Sequence, residues 1–233
     1  MNQTFSRTLI HTAVVSALAM SVSTAMAQNQ TGDDANANSV LEEVIVTATR
    51  REESLQDVPI SVATLSGERF ETLFNGGEDV LALSGRVPGL YAESSNGRAA
   101  PRFYVRGLGN IDFDLGASQP VSFIMDDVVL ENVVLKSFPL FDVEQVEVIR
   151  GPQGTLFGRN TTAGIVKVNT RRPTKESNGF VRGSIATYTT ADVEAALGGG
   201  FGESDFSFRV SGIYRTRDDW ISNGFTGESD VMG

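Results

Sequence analysis

Residues 206–215, FSFRVSGIYR, constrain the fold more than any other stretch of this chain. Phe206, Phe208, Val210, Gly212 and Tyr214 fall on one face of an extended backbone, and Ser207, Arg209, Ser211, Ile213 and Arg215 on the other. A period of two belongs to a strand and not to a helix. The run also has the roughly 9–11 residues that a strand needs to cross a bilayer. GFVRGSIATYT (179–189) and DVEAALGGGF (192–201) alternate more weakly, and FGESDF (201–206) is a tight, turn-like link. Three antiparallel strands in a meander follow. An aromatic, apolar face opposite a polar one suits a membrane barrel; a soluble sheet with one wet face fits the pattern equally well.

The amino end speaks to the compartment. Residues 1–27 carry Arg7 as their only formal side-chain charge, then an apolar run closing on Ala25-Met26-Ala27, the pattern of a secretory leader cleaved after Ala27. Serines and threonines between 16 and 24 leave that run too short and too polar to span about 30 Å of hydrocarbon. With the leader goes His11, the single histidine, and the chain has no cysteine. The mature chain then has neither imidazole nor thiol, which removes the usual zinc ligand sets, cysteine nucleophiles and histidine acid–base pairs. Disulfides are excluded too, so an exported fold must be held by core and sheet. The formal charge of −10 becomes more negative without Arg7, which argues against nucleic acid as a partner.

Between the leader and the first folded element, QNQTGDDANANS (28–39) offers no apolar side chain larger than alanine and is expected to be disordered. The strip LEEVIVTATRREES (41–54) follows, with Val44, Ile45 and Val46 set between acids and arginines. Residues 28–57 therefore read as a linker carrying one sticky segment, with folded structure starting near Val58. From there a strand (60–65) leads into a helix that Ser66 can cap. Phe70, Leu73 and Phe74 share one helix face, and Asn75-Gly76-Gly77 stops it. A second helix is expected over 78–84, ended by Gly85. RFYVRG (102–107), VSFIMDDVVL (121–130), VEQVEVIRG (143–151) and GIVKVNT (164–170) read as strands, so 58–172 is a mixed domain of ordinary size.

Little of this carries catalytic chemistry. Gly151, Gly154, Gly158 and Gly164 suggest a phosphate loop but lack the G-x-x-x-x-G-K-[ST] pattern, and GNIDFDLG and GGGFG miss the dinucleotide spacing. Asp112 and Asp114 fall far short of a calcium loop. Glu144 and Glu147, three apart on a strand, point to opposite faces and cannot act as a pair.

The motifs resemble those of TonB-dependent outer-membrane receptors. EEVIVTATR (42–50) is similar to that family's TonB box, VPISVATLSGERF (58–70) to the opening of its plug domain, and FYVRGLG (103–109) to the plug's middle. VEQVEVIRGPQGTLFGRNTTAGIVKVNTRRP (143–173) is similar to its closing segment. The resemblance implies an α+β plug, a small mixed sheet with short helices, followed by the first antiparallel strands of a transmembrane β-barrel. It implies no enzyme and no cofactor. Its partners would be the periplasmic domain of TonB with its inner-membrane energising complex, the outer membrane, and a nutrient such as a ferric siderophore. A barrel of about 22 strands at about 10 residues each needs far more chain than follows residue 173, so the barrel is expected to be incomplete here. A soluble periplasmic binding or adhesion module is the rival reading.

Residue by residue, Glu43, Val44, Ile45, Val46, Thr47 and Ala48 would form a free strand for TonB to pair with edge to edge. Glu42, Glu43, Arg50 and Arg51 would keep it soluble. Arg106 and Arg150, each followed by glycine, resemble plug arginines that pair with barrel glutamates. Arg98, Arg102, Asp112, Phe113 and Asp114 lie in segments matching the plug's outward, substrate-facing loops. In one place the family pattern is broken: Asp126-Asp127 stands where Asp-Gly is common, in a turn whose second residue favours glycine.

Overall fold

The computed structural model describes residues 43–74, 78–94, 99–112, 114, 116–202, 205–218 and 224–225. The predicted 1–27 leader, the segment 28–42, Arg98 and Phe113 lie outside them.

Three apolar runs lie side by side at the centre of the first half. Strands β3 (Ser61–Ser66), β6 (Val121–Met125), β7 (Val128–Val129), β8 (Val143–Arg150) and β9 (Gly164–Thr170) form a five-stranded sheet in the order β3-β8-β9-β6-β7. Its pairings are antiparallel except between β6 and β9. Side-chain alternation gives this sheet two unlike faces. Val146, Val148, Val166, Val168, Val121 and Phe123 point into the larger core. Over that face pack helix α1 (Gly67–Leu73), a 3-10 turn (Val80–Leu83) and the hairpin of β4 (Leu90–Glu93) and β5 (Arg102–Val105). Phe70 and Phe74 stack with ring centroids 4.7 Å apart, and Phe103 meets Phe123 at 5.2 Å. Each such aromatic contributes about 1.5–3 kcal/mol by leaving water.

Local details differ from the sequence expectation where packing outweighs propensity. Ser66 precedes α1 but makes no side-chain cap bond, so the helix is held by its two phenylalanines. The second expected helix is only the 3-10 turn, capped by Asp79, whose Oδ1 accepts from the Leu81 amide at 2.9 Å. Gly85 does take the left-handed conformation, with φ 74°.

Strands β10 (Asn178–Ala186), β11 (Thr190–Gly200) and β12 (Ser207–Thr216) form the expected antiparallel meander. Arg182, Asp192, Glu194, Arg209 and Arg215 are at least partly buried and bond among themselves and to Glu71 and Asp142 of the first half. Val181, Ile185, Leu197 and Val210 point the other way and are 79%, 87%, 62% and 67% exposed. A soluble sheet with one wet face has the opposite arrangement, apolar side in.

Candidate functional site

The second face of the five-stranded sheet carries Ile149 and Ile165 side by side toward one end, Glu147, Lys167 and Asn169 toward the other, and Ile124 beside Lys167. A sheet with an inner parallel pairing needs both faces covered. Residues 43–58 supply that cover, folding as a small hairpin of β1 (Ile45–Val46) and β2 (Glu53–Ser54). Val46 and Ala48 are fully buried against the isoleucines and Phe157, and the Arg50 guanidinium sits 4.9 Å over the Phe157 ring. This corrects the expectation of a free strip in a linker running to residue 57. Apolar residues that would be sticky in solution have an unfilled apolar face within reach, and they use it.

The polar end is matched as closely. The Thr47 amide donates to both oxygens of Glu147, at 3.0 and 3.1 Å, and its hydroxyl donates to Glu147 Oε1 at 2.8 Å. The same hydroxyl accepts from Lys167 Nζ at 2.8 Å, and Asn169 Nδ2 donates to Glu147 at 3.0 Å. Glu147 is 0% exposed and Lys167 3%, so Thr47 bridges a buried carboxylate and a buried ammonium. Lys167 reaches its counter-charge outward, to Asp127 Oδ1 at 2.9 Å, and that bond holds the Asp127 carboxyl below its usual range. Asp126 and Asp127 have φ of 44° and 67°, the two positive values of a primed hairpin turn, which glycine would occupy more easily.

Both backbone edges of the strip are taken. On one side Ile45 and Val46 pair with Ser54 and Glu53, and Val44 accepts from the Leu55 amide at 2.8 Å. On the other, Gln145 Nε2 donates to the Ile45 carbonyl at 3.1 Å and Glu147 holds the Thr47 amide. Glu43 and Ile45 themselves are exposed.

Arg106 and Arg150 come together: the Cγ of one and the Cδ of the other each lie 3.9 Å from where a side chain on Gly89 would begin. Arg150 donates to the carbonyls of Pro88 (3.2 Å) and Val62 (3.5 Å), while its buried Nε has no partner among the described residues. Arg106 is exposed. Arg102 is buried, at 7%, opposite Glu93 in the β4–β5 ladder, which withdraws it from the outward loop surface. Asp112 and Asp114 are exposed but each commits one oxygen to its own loop, accepting from the Asp114 and Gly116 amides at 3.0 and 2.8 Å. Beside them burial, reinforced by a bond to Glu93, pushes the Tyr104 hydroxyl pKa up.

Contact between the two sheets runs through residues that sequence reasoning did not single out. Asp142 and Arg209 form a buried, two-pronged pair, Nε to Oδ2 at 2.7 Å and Nη2 to Oδ1. Glu194 accepts from the Asp142 amide at 3.1 Å, and Glu71 binds Arg171 and Arg182. Arg209 was legible as a member of the polar face; its partner, 67 residues away, was not.

Comparison with known proteins decides the family. Residues 54–165 match the family described as TonB-dependent Receptor Plug Domain. Residues 54–165 are a plug domain of the TonB-dependent receptor kind. It is 31% identical over 132 residues to the vitamin B12 transporter BtuB of Vibrio vulnificus, covering 54% of this chain and 20% of that one. It is 28% identical over 149 residues to the pesticin receptor of Yersinia pestis, covering 63% and 21%. Among solved structures, the ferric yersiniabactin uptake receptor FyuA from Yersinia pestis superposes with a TM-score of 0.66 at 25% identity, covering 75% of this chain and 27% of that one. The chain thus spans about a fifth of the length of the curated relatives it matches. The mixed five-stranded sheet with few helices is the plug fold, and the open three-stranded sheet fits part of a barrel. The relatives are transporters and receptors and not enzymes.

Proposed function

We propose that this chain is the gating and energy-coupling part of an outer-membrane receptor that imports a nutrient through a barrel closed by its plug. In this reading residues 1–27 are a leader cleaved after Ala27, 28–57 carry the TonB box, 58–172 are the plug and 173–233 begin the barrel. One observation carries the membrane reading: β10–β12 turn their charged side chains toward the plug and their apolar side chains outward. A hydrocarbon surround makes that orientation favourable, whereas water does not. It also weighs against the soluble binding or adhesion module.

Coupling follows from the strip. TonB's periplasmic domain, driven from the inner membrane, pairs with the backbone of residues 43–48 by strand addition. With both edges occupied in the docked form, docking on the plug and pairing with TonB exclude each other. Pulling the strip away uncovers Ile124, Ile149, Ile165 and the buried Glu147, loosening the sheet beneath. Arg106 and Arg150, the latter with a spare Nε, suit glutamates of the barrel wall. Arg98, Asp112, Phe113 and Asp114 are the residues assigned to contact with the incoming nutrient, and of these Asp112 and Asp114 are exposed. The names of the relatives support a ferric siderophore or a cobalamin as its class.

Uptake tests this reading. Cells expressing the full-length receptor as their sole route for the candidate nutrients are expected to take up one ferric chelate or cobalamin. Ile45→Pro is expected to abolish that uptake while leaving ligand binding at the cell surface intact, because proline removes a strand donor and stiffens the edge. Undiminished uptake by the proline variant would refute energy coupling through this strip.

A further inference from the structure

Asp127 is in an unfavourable place. Its φ of 67° is a conformation in which glycine is at ease, and it stands at the position where the family pattern commonly has glycine. Its carboxylate bonds Lys167 Nζ at 2.9 Å, and Lys167 is otherwise enclosed, 3% exposed beneath the strip. Lys167 is also the cross-strand neighbour of Glu147 in the β8–β9 ladder. Nothing but the Thr47 hydroxyl stands between that ammonium and that carboxylate in the bonding chain, Lys167 to Thr47 at 2.8 Å and Thr47 to Glu147 at 2.8 Å.

We propose that Asp127 is a positioning residue that draws Lys167 away from Glu147, leaving Glu147's oxygens to Thr47, and thereby clasps residues 43–48 onto the plug. The physical reason is competition. A buried ammonium seeks the strongest acceptor available, and a carboxylate outranks a hydroxyl. With Asp127 in place the ammonium has its carboxylate on the outer side, and Glu147 is free to hold the Thr47 amide and hydroxyl. Without it, Lys167 closes on Glu147, Thr47 loses its acceptors, and the strip's polar end comes loose. The functional meaning rests on the strand-pairing reading above: a charge on the β6–β7 turn sets how readily the strip becomes available.

The test needs no partner. Hydrogen exchange at the amides of residues 46–48 is measured in the full-length receptor in detergent micelles, for the native protein, Asp127→Gly and Asp127→Asn. Glycine relieves the turn, so Asp127→Gly is expected to leave thermal stability unchanged or raised, yet to speed exchange at 46–48 about tenfold, as loss of a charge-assisted hold does. Asp127→Asn keeps the turn's shape and is expected to do the same. Because Asp127 lies at the surface, raising salt from about 0.01 to 1 M, which shortens the Debye length from about 30 to 3 Å, is expected to speed exchange in the native protein and not in either variant. Exchange within twofold of native in both variants, or an equal salt response in all three proteins, would overturn the clasp. Failure of TonB to bind any of these proteins counts against the pairing reading and leaves the exchange result to judge the clasp.

Discussion

Arg209→Met in the full-length receptor is expected to lower the stability of the plug–barrel unit by about 3–5 kcal/mol, the usual result of stripping one member from a buried charge pair. Arg209 and Asp142 have side chains 8% and 4% exposed, and the guanidinium satisfies both carboxylate oxygens at once. Methionine keeps much of the arginine's aliphatic bulk and removes its charge, so the loss falls on Asp142. The Asp142 carboxylate is then buried beside Glu194, which already accepts from the Asp142 amide. Adding Asp142→Asn to Arg209→Met removes the stranded charge and is expected to recover most of the loss, and denaturant titration of the four proteins in detergent gives the coupling directly. Equal losses in the single and double variants would show that the pair is not what ties the sheets together.

Val210→Arg is the second large effect. Val210 lies near the middle of β12, 67% exposed on the face shared by Leu197, its register partner, and Tyr214. On a lipid-facing surface an arginine at mid-depth costs about 2–4 kcal/mol, whereas on a wet surface it costs almost nothing. Reduced insertion of the variant into lipid vesicles, with Ser211→Arg on the opposite face as the control for strand disruption, is the expected result. Normal insertion of Val210→Arg would return the soluble-sheet reading to favour.

What was legible in the sequence was whatever repeats within a strand's own length. The alternation of 206–215 gave β12 and its two faces, and the apolar runs at 121–130, 143–151 and 164–170 gave strands of the plug sheet, the first of them divided into β6 and β7 by the turn at Asp126 and Asp127. The docked state of Val46 and Ala48 was not legible, because it depends on Ile124, Ile149 and Ile165 being gathered on one face by pairings about 100 residues distant. Glu147 left a faint mark: it is the one acid flanked on both sides by valines in VEQVEVIR, where an ionised side chain must find a partner. The sequence could say that it was not half of a catalytic pair, but not that Thr47 would be its partner. Likewise Asp126-Asp127 stood out as a departure from Asp-Gly, and only the contact with Lys167 supplies a reason for the second aspartate.

The central claim is that residues 43–48 leave the plug to lend their backbone to TonB. Titrating the full-length receptor in detergent with the periplasmic domain of TonB, and repeating the titration with Ile45→Pro, tests it most directly. Saturable binding by the native receptor, lost in the proline variant, is the expected result. Binding of equal strength by both proteins would contradict strand pairing at this segment.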